Sequence, residues 1–165
     1  MAREEVQAVI ERFIEEIWNQ GNLDEADGLL SPEVIYHEPM QTIRGIEPYR
    51  QFVETFRTTL PNAQFSWEDM VIEGDRAALR WALQAAHEGN IPTVPIPPTG
   101  FKINMSGQTA FRLEEGKIAE IWMDTDYSPF FKIALASLAA LFGAVVGLFM
   151  LVGIIRRLVG GDSGK

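Results

Sequence analysis

The chain of 165 residues contains no cysteine. That absence excludes a disulfide scaffold, a thiolate zinc site and a catalytic thiol. Histidine is scarce: His37 and His87 are the two present, so a three-histidine metal site is excluded. Basic side chains are outnumbered, 14 Lys and Arg against 23 Asp and Glu, for a net charge of −9. No basic stripe is offered to phosphates, which argues against nucleic acid as a partner. The N-terminus lacks the apolar run of a signal peptide, because Arg3, Glu4 and Glu5 lead into an amphipathic stretch. What the chain does have is apolar residues, 47% of the total, enough for one domain with a real core.

The charge is unevenly divided. Residues 1–132 carry 11 basic and 22 acidic side chains, net −11, whereas residues 133–165 carry three basic and one acidic. No charged residue lies between Ile133 and Ile155. The chain therefore reads as an acidic domain over 1–128, an apolar segment over 129–158 and a short flexible end over 159–165.

Within the acidic part, Val6, Ile10, Phe13, Ile14 and Ile17 recur at three- and four-residue spacing, one face of a helix that Gln20-Gly21-Asn22 stops. A second short helix is expected over Leu23 to Leu30, ended by Ser31-Pro32, and a third over Ile46 to Leu60 with Phe52, Val53 and Phe56 buried. Val34 to His37 reads as a short strand. The period then changes to two: Ala63 to Ile72, Arg76 to His87, Phe101 to Leu113 and Ile118 to Asp124 read as strands. Four prolines and a glycine make residues 91–100 a loop. Helices first and a meander of strands after predict an α+β fold, three N-terminal helices on a curved antiparallel sheet, with a cone-shaped pocket between the layers.

Several segments, in their order and spacing, resemble the SnoaL-like polyketide cyclases of the nuclear transport factor 2-like superfamily. They are Phe13 to Asn22, Tyr36-His37-Glu38-Pro39, Arg44-Gly45-Ile46-Glu47, Glu73-Gly74-Asp75-Arg76 with Arg80-Trp81, Ile96 to Gly100, and Glu115-Gly116-Lys117-Ile118 through Trp122. The resemblance covers about residues 5–128. It implies a pocket in which a carboxylate removes a proton beside a carbonyl so that a ring closes by aldol chemistry, with no metal and no cofactor. The family position of that carboxylate, four residues after the last-strand tryptophan, is Asp126 here. A base of this kind needs burial to raise its pKa, and Trp122 and Tyr127 are the apolar neighbours in sequence. Asp126 equally suits the cap of a helix starting near Ser128-Pro129. His37 and His87 also match family pocket positions, His37 as a helper to the base or as a hydrogen-bonded histidine at a strand end, His87 at the pocket mouth or simply exposed beside Glu88 and Gly89. Trp81, Met105, Gln108 and Trp122 are expected along the pocket wall, and Arg80 and Arg112 in ion pairs on the sheet surface.

The segment Ile133 to Ile155 is 23 residues long with Ser137 its one polar member. A helix of that length spans roughly 35 Å, so a single transmembrane helix is expected, flanked by Lys132 and by Arg156 and Arg157. Ala139, Gly143 and Gly147 place small residues on one stripe, where membrane helices pack closely. The function expected from these features is a membrane-anchored accessory or binding subunit, single-pass, with its domain on the cytoplasmic side. Its partners would be lipid, other membrane subunits or a second copy, and a hydrophobic small molecule. The alternative is a tail-anchored cyclase or isomerase using Asp126 and His37 on a hydrophobic carbonyl substrate.

Overall fold

The structure, a computed structural model, describes residues 1–90, 98–128, 142–143 and 145–151. The chain divides into two compact units, Met1–Asp126 and Tyr127–Lys165.

The first unit opens with α1, Arg3–Arg12, whose Val6 and Ile10 are fully buried. Its start is held by Glu5 Oε2, which accepts from the backbone N–H of Ala2 at 2.9 Å. The helix widens into π-helical geometry over Phe13–Gln20 and keeps its apolar face, burying Phe13, Ile14, Ile17 and Trp18. Gly21 ends it at φ 72°, in the left-handed region that favours glycine. The Arg57 guanidinium then donates to the freed carbonyls of Trp18 and Asn19 at 2.7 and 3.1 Å. The expected second helix is broken into a 3-10 turn, Leu23–Glu25, and a single turn of α-helix, α2, Ala26–Leu29. The third, α3, runs Ile46–Thr59 and buries Tyr49 and Val53.

Six strands follow the chain as β1 (Leu30–Glu38), β2 (Gln41–Arg44), β3 (Gln64–Glu73), β4 (Arg76–Ala86), β5 (Lys102–Glu114) and β6 (Lys117–Thr125). They lie in the order β2-β1-β6-β5-β4-β3. Three corrections to the expected fold follow. The helical layer is not three plain helices, because of the π-helical stretch and the broken second helix. The sheet is mixed, since β1 pairs β6 in parallel while every other pairing among the described residues is antiparallel. It is also neither closed nor strongly curled, so no cone forms. The physical reason for the parallel pair is connectivity. β1 turns back through Pro39 and Met40 to the short edge strand β2, and the chain returns only with β6 to cover the other side of β1.

Strand alternation sets the two faces of the sheet. Ala77, Leu79, Trp81 and Leu83 of β4 and Ile103, Met105, Thr109, Phe111 and Leu113 of β5 are buried on the inner face, beneath the helices. Trp18 is the centre of the aromatic core, with ring centroids 5.1 to 6.4 Å from Tyr49, Phe52, Phe56 and Phe65. Such pairs add roughly 0.5–1.5 kcal/mol each beyond their buried area. Next to it, Asn19 docks the helix on the edge strand β3. Its Oδ1 accepts from Phe65 N–H at 2.7 Å and its Nδ2 donates to Phe65 C=O at 3.1 Å, in the manner of one more strand.

The transmembrane reading of Ile133 to Ile155 is corrected here. Among the described residues no helix is long and apolar enough to cross a membrane. Residues 133–141, 144 and 152–155, with Ala139, Lys132, Arg156 and Arg157, lie outside the described residues. At Gly143 and Gly147, nothing lies within 4 Å of where a Cβ would stand. With that span fall the membrane-anchored subunit, the tail-anchored enzyme, the single-pass location, and the lipid, membrane-subunit, tail-paired and membrane-partitioned ligand partners.

Asn19→Ala removes both bonds to Phe65 and leaves a half-buried backbone pair without them. Unfolding in urea should show a loss of about 1–3 kcal/mol; an unchanged midpoint would mean that the helix does not depend on this docking.

Candidate functional site

The space between helices and sheet is the first place to look for a site. The chamber lined by Phe13, Trp18, Tyr36, Phe65, Trp81 and Phe111, among others, has a volume of about 20 Å³. That is room for about one water molecule. Its few polar atoms are engaged with one another. Trp81 Nε1 donates to Thr109 Oγ1 at 3.0 Å, both residues being buried, and Tyr36 Oη donates to Met123 Sδ at 3.0 Å. Just behind it Tyr49 is fully buried, and its hydroxyl has no hydrogen-bond partner among the described residues. Burial pushes this phenol well above its ordinary pKa, against a weaker opposing effect of the Trp18 indole.

Trp81 occupies so much of the chamber because Gly107 lies beside it in register on β5. A Cβ at Gly107 would stand 2.4 Å from Trp81 Cζ2 and 2.1 Å from Asp124 O. The missing side chain is therefore what lets the indole lie across the sheet.

The other face of the sheet carries the ionisable groups. Register places Val71, Ala78, Ala110, Trp122 and His37 side by side across β3, β4, β5, β6 and β1. The His37 imidazole stacks on the Trp122 indole, with centroids 5.5 Å apart and planes 5° from parallel. His37 Nε2 lies 2.9 Å from Glu120 Oε1. Arg112 donates to Glu120 Oε2 through Nε at 3.1 Å and Nη2 at 2.9 Å, and also pairs with Glu114. The hydrogen bond from His37, then the hydrogen bonds and charge of Arg112, hold the Glu120 carboxyl below the usual carboxylate range, against partial desolvation. A shallow groove of about 370 Å³ runs along this row, lined by Val71, Arg76, Ala78, Ala110 and Trp122 among others. Beside it a depression of about 460 Å³ is lined by Glu68, Arg80, Gln108, Asp124 and Asp126 among others.

The candidate residues named from sequence are thus spread over three places. Trp81 and Met105 are on the inner face and buried. His37, Gln108 and Trp122 are on the outer face, where Gln108 is exposed between Arg80 and Asp124. Asp126 is exposed at the edge of the outer depression, its N–H bonded to Ser106 C=O at 3.0 Å. His87 is 7% exposed at the end of β4; its Nδ1 lies 2.9 Å from Thr99 Oγ1, and its buried Nε2 has no partner among the described residues. The fold therefore brings His37 and Trp122 together but puts neither with Trp81. Residues 91–97 of the proline-rich loop lie outside the described residues. Arg80 and Arg112 form the surface ion pairs that alternation predicts, Arg80 with Glu68 at 2.8 Å and Asp69 at 2.9 Å. Missed from sequence were Glu120, the hub between His37 and Arg112, and Thr109, the acceptor for Trp81. The parity of β6 carries a signal for the first, since Glu120 and Trp122 are two residues apart on one face. Among the described residues no cluster of three or more His, Asp or Glu is placed to hold a metal ion.

The sequence model of the family described as SnoaL-like polyketide cyclase matches residues 8–132. No curated protein sequence matches the chain. Among solved structures, TsrD from Streptomyces laurentii is similar at 27% identity and a TM-score of 0.69, over 80% of this chain and 96% of its own. AclR, a candidate hydroxylase from Streptomyces galilaeus, shares the fold at 21% identity and a TM-score of 0.70, over 82% and 98%. IdmH, a candidate polyketide cyclase from Streptomyces antibioticus, shares it at 23% identity and a TM-score of 0.66, over 77% and 96%.

The depressed pKa of Glu120 makes stability depend on pH. In the window between its folded and unfolded pKa values the unfolded chain binds more protons, so stability rises with pH there and is lost as pH falls through the folded value. Denaturation midpoints of wild type and Glu120→Gln should converge as pH falls through that window and separate above it. A constant difference across it would mean that Glu120 does not contribute through its charge.

Proposed function

Because the chain belongs to the SnoaL-like polyketide cyclase family, we propose that it uses that family's fold as a binding domain and not as a cyclase, with the outer face of its sheet as the working surface. The observation that carries this reading is the chamber of about 20 Å³. A ring-closing enzyme must enclose a folded multi-carbon chain, and small-molecule sites usually measure hundreds of cubic ångströms. Here Trp18, Phe65 and Trp81 take that space. Trp81 and Met105 then serve as core, and Trp81 with Gly107 keeps the interior shut.

The residues the family resemblance marks for chemistry fit this reading as surface groups. Asp126 is exposed, without the enclosure that turns a carboxylate into a base near neutral pH. His37 is committed to Glu120 on one side and to the face of Trp122 on the other. On the outer face these groups bind and orient; no proton transfer is assigned to them.

Titration with benzene or indole, followed through the indole N–H signals of Trp18 and Trp81, tests the reading. The wild-type protein should give no saturable shift at either. Leu79→Ala, which enlarges the chamber at a cost of about 2–5 kcal/mol, should acquire one. Saturable binding inside the wild-type chamber, or turnover of a β-keto ester by the wild type, would contradict the proposal.

A further inference from the structure

We infer that the inner chamber is a binding site for an apolar diatomic gas, with dioxygen as the test case, a reading that rests on the closed interior proposed above and says what the remaining space takes. Size is the first ground. A water-sized sphere needs roughly 10–15 Å³ of such space, and the chamber measures about 20 Å³. A guest of two small heavy atoms fits, whereas a six-membered ring does not. The walls keep the space from closing further. Phe13 meets Phe111 edge-on at 6.0 Å, and Phe65 meets Trp18 at 5.1 Å and Trp81 at 5.6 Å. These rings come from the first helix, the edge strand and the sheet centre. Rings held from three directions cannot all settle into a space smaller than a side chain.

Chemistry is the second ground. Among the described residues the wall is almost wholly carbon, made by Ile14, Leu79, Ile121 and the rings. Trp81 Nε1 gives its single proton to Thr109 Oγ1, and the Tyr36 hydroxyl donates to Met123 Sδ. A buried water ordinarily holds about three hydrogen bonds. Here it would find the hydroxyls of Thr109 and Tyr36, each already engaged. The chamber therefore disfavours water by chemistry and rings by size. An apolar diatomic molecule gains by leaving water, and it restores to the wall the dispersion contacts that an empty space denies it. The Met123 thioether beside it is polarisable, which strengthens that attraction. Entry asks only for rotamer motion of the lining side chains, so it is compatible with an indole proton that water does not reach.

The test is NMR of the full chain under dioxygen at graded pressures, with dinitrogen at the same pressures as the diamagnetic control. Dioxygen is paramagnetic and speeds the relaxation of protons that it touches. Methyl protons of Leu79 and Ile121, which line the chamber, should relax about threefold or more faster than those of Ile10, Leu30 and Val53, which are as deeply buried but do not line it. The excess should level off as pressure rises. Leu79→Ala, which enlarges the space, should raise the excess at Ile121 by about twofold. Ile14→Phe, which fills the space from the helix, should abolish it; if that variant fails to fold, Leu79→Ala decides alone. Equal relaxation of lining and control methyls, or an unchanged Ile121 in Leu79→Ala, overturns the gas site and leaves the closed interior standing. A long-lived water detected by cross-relaxation with the Trp81 indole proton does the same. Saturable binding of benzene at Trp81 overturns both.

Discussion

Trp81 lies across the inner face of the sheet because the residue beside it, Gly107, has no side chain. Most of the domain's interior depends on that contact. The indole takes Thr109 as its acceptor, packs 5.6 Å from Phe65 and closes the space beneath the helices. Phe65 is in turn the residue whose backbone Asn19 holds and whose ring meets Trp18 at 5.1 Å. Edge strand, first helix and sheet centre are thus linked through one aromatic cluster, and a change at Gly107 would reach all three.

This packing constrains function more strongly than the family membership does. A fold can keep its topology while the space within it is opened for a substrate or filled for stability. In this chain a cavity of about 20 Å³ remains, and the ionisable groups are gathered on the far side of the sheet. The His37, Glu120 and Arg112 network joins β1, β6 and β5 across the parallel pairing of β1 with β6. It sets an arrangement of charge around Trp122 on the outer face.

Much of the fold was legible because it rests on periodicity. The four long strands follow alternation from Phe65 to Trp122, and the first helix follows the spacing of Val6, Ile10 and Phe13. β2 was not legible, since Gln41 to Arg44 is a short, mostly exposed edge with no apolar face to repeat. The parallel pairing of β1 with β6 was hidden too, because it depends on contacts between residues more than 80 positions apart. The candidate site was legible only in part. Residue types picked out Trp81, Trp122 and His37, but only strand parity says that the first faces inward and the other two outward. Gln108 was expected inward, and the register with Arg80 and Asp124 puts it outside. The apolar run after Ile133 supports a membrane reading by composition alone, whereas among the described residues no helix is long and apolar enough to cross a membrane.

The central claim is that the interior is closed in the native state, and hydrogen exchange at the Trp81 indole N–H addresses it directly. Bonded to Thr109 inside a packed chamber, this proton should exchange only through global unfolding, with protection matching the full unfolding free energy, while the Trp122 indole exchanges rapidly. Exchange of Trp81 on the same fast timescale as Trp122 under native conditions would show a solvent-open interior and contradict the account.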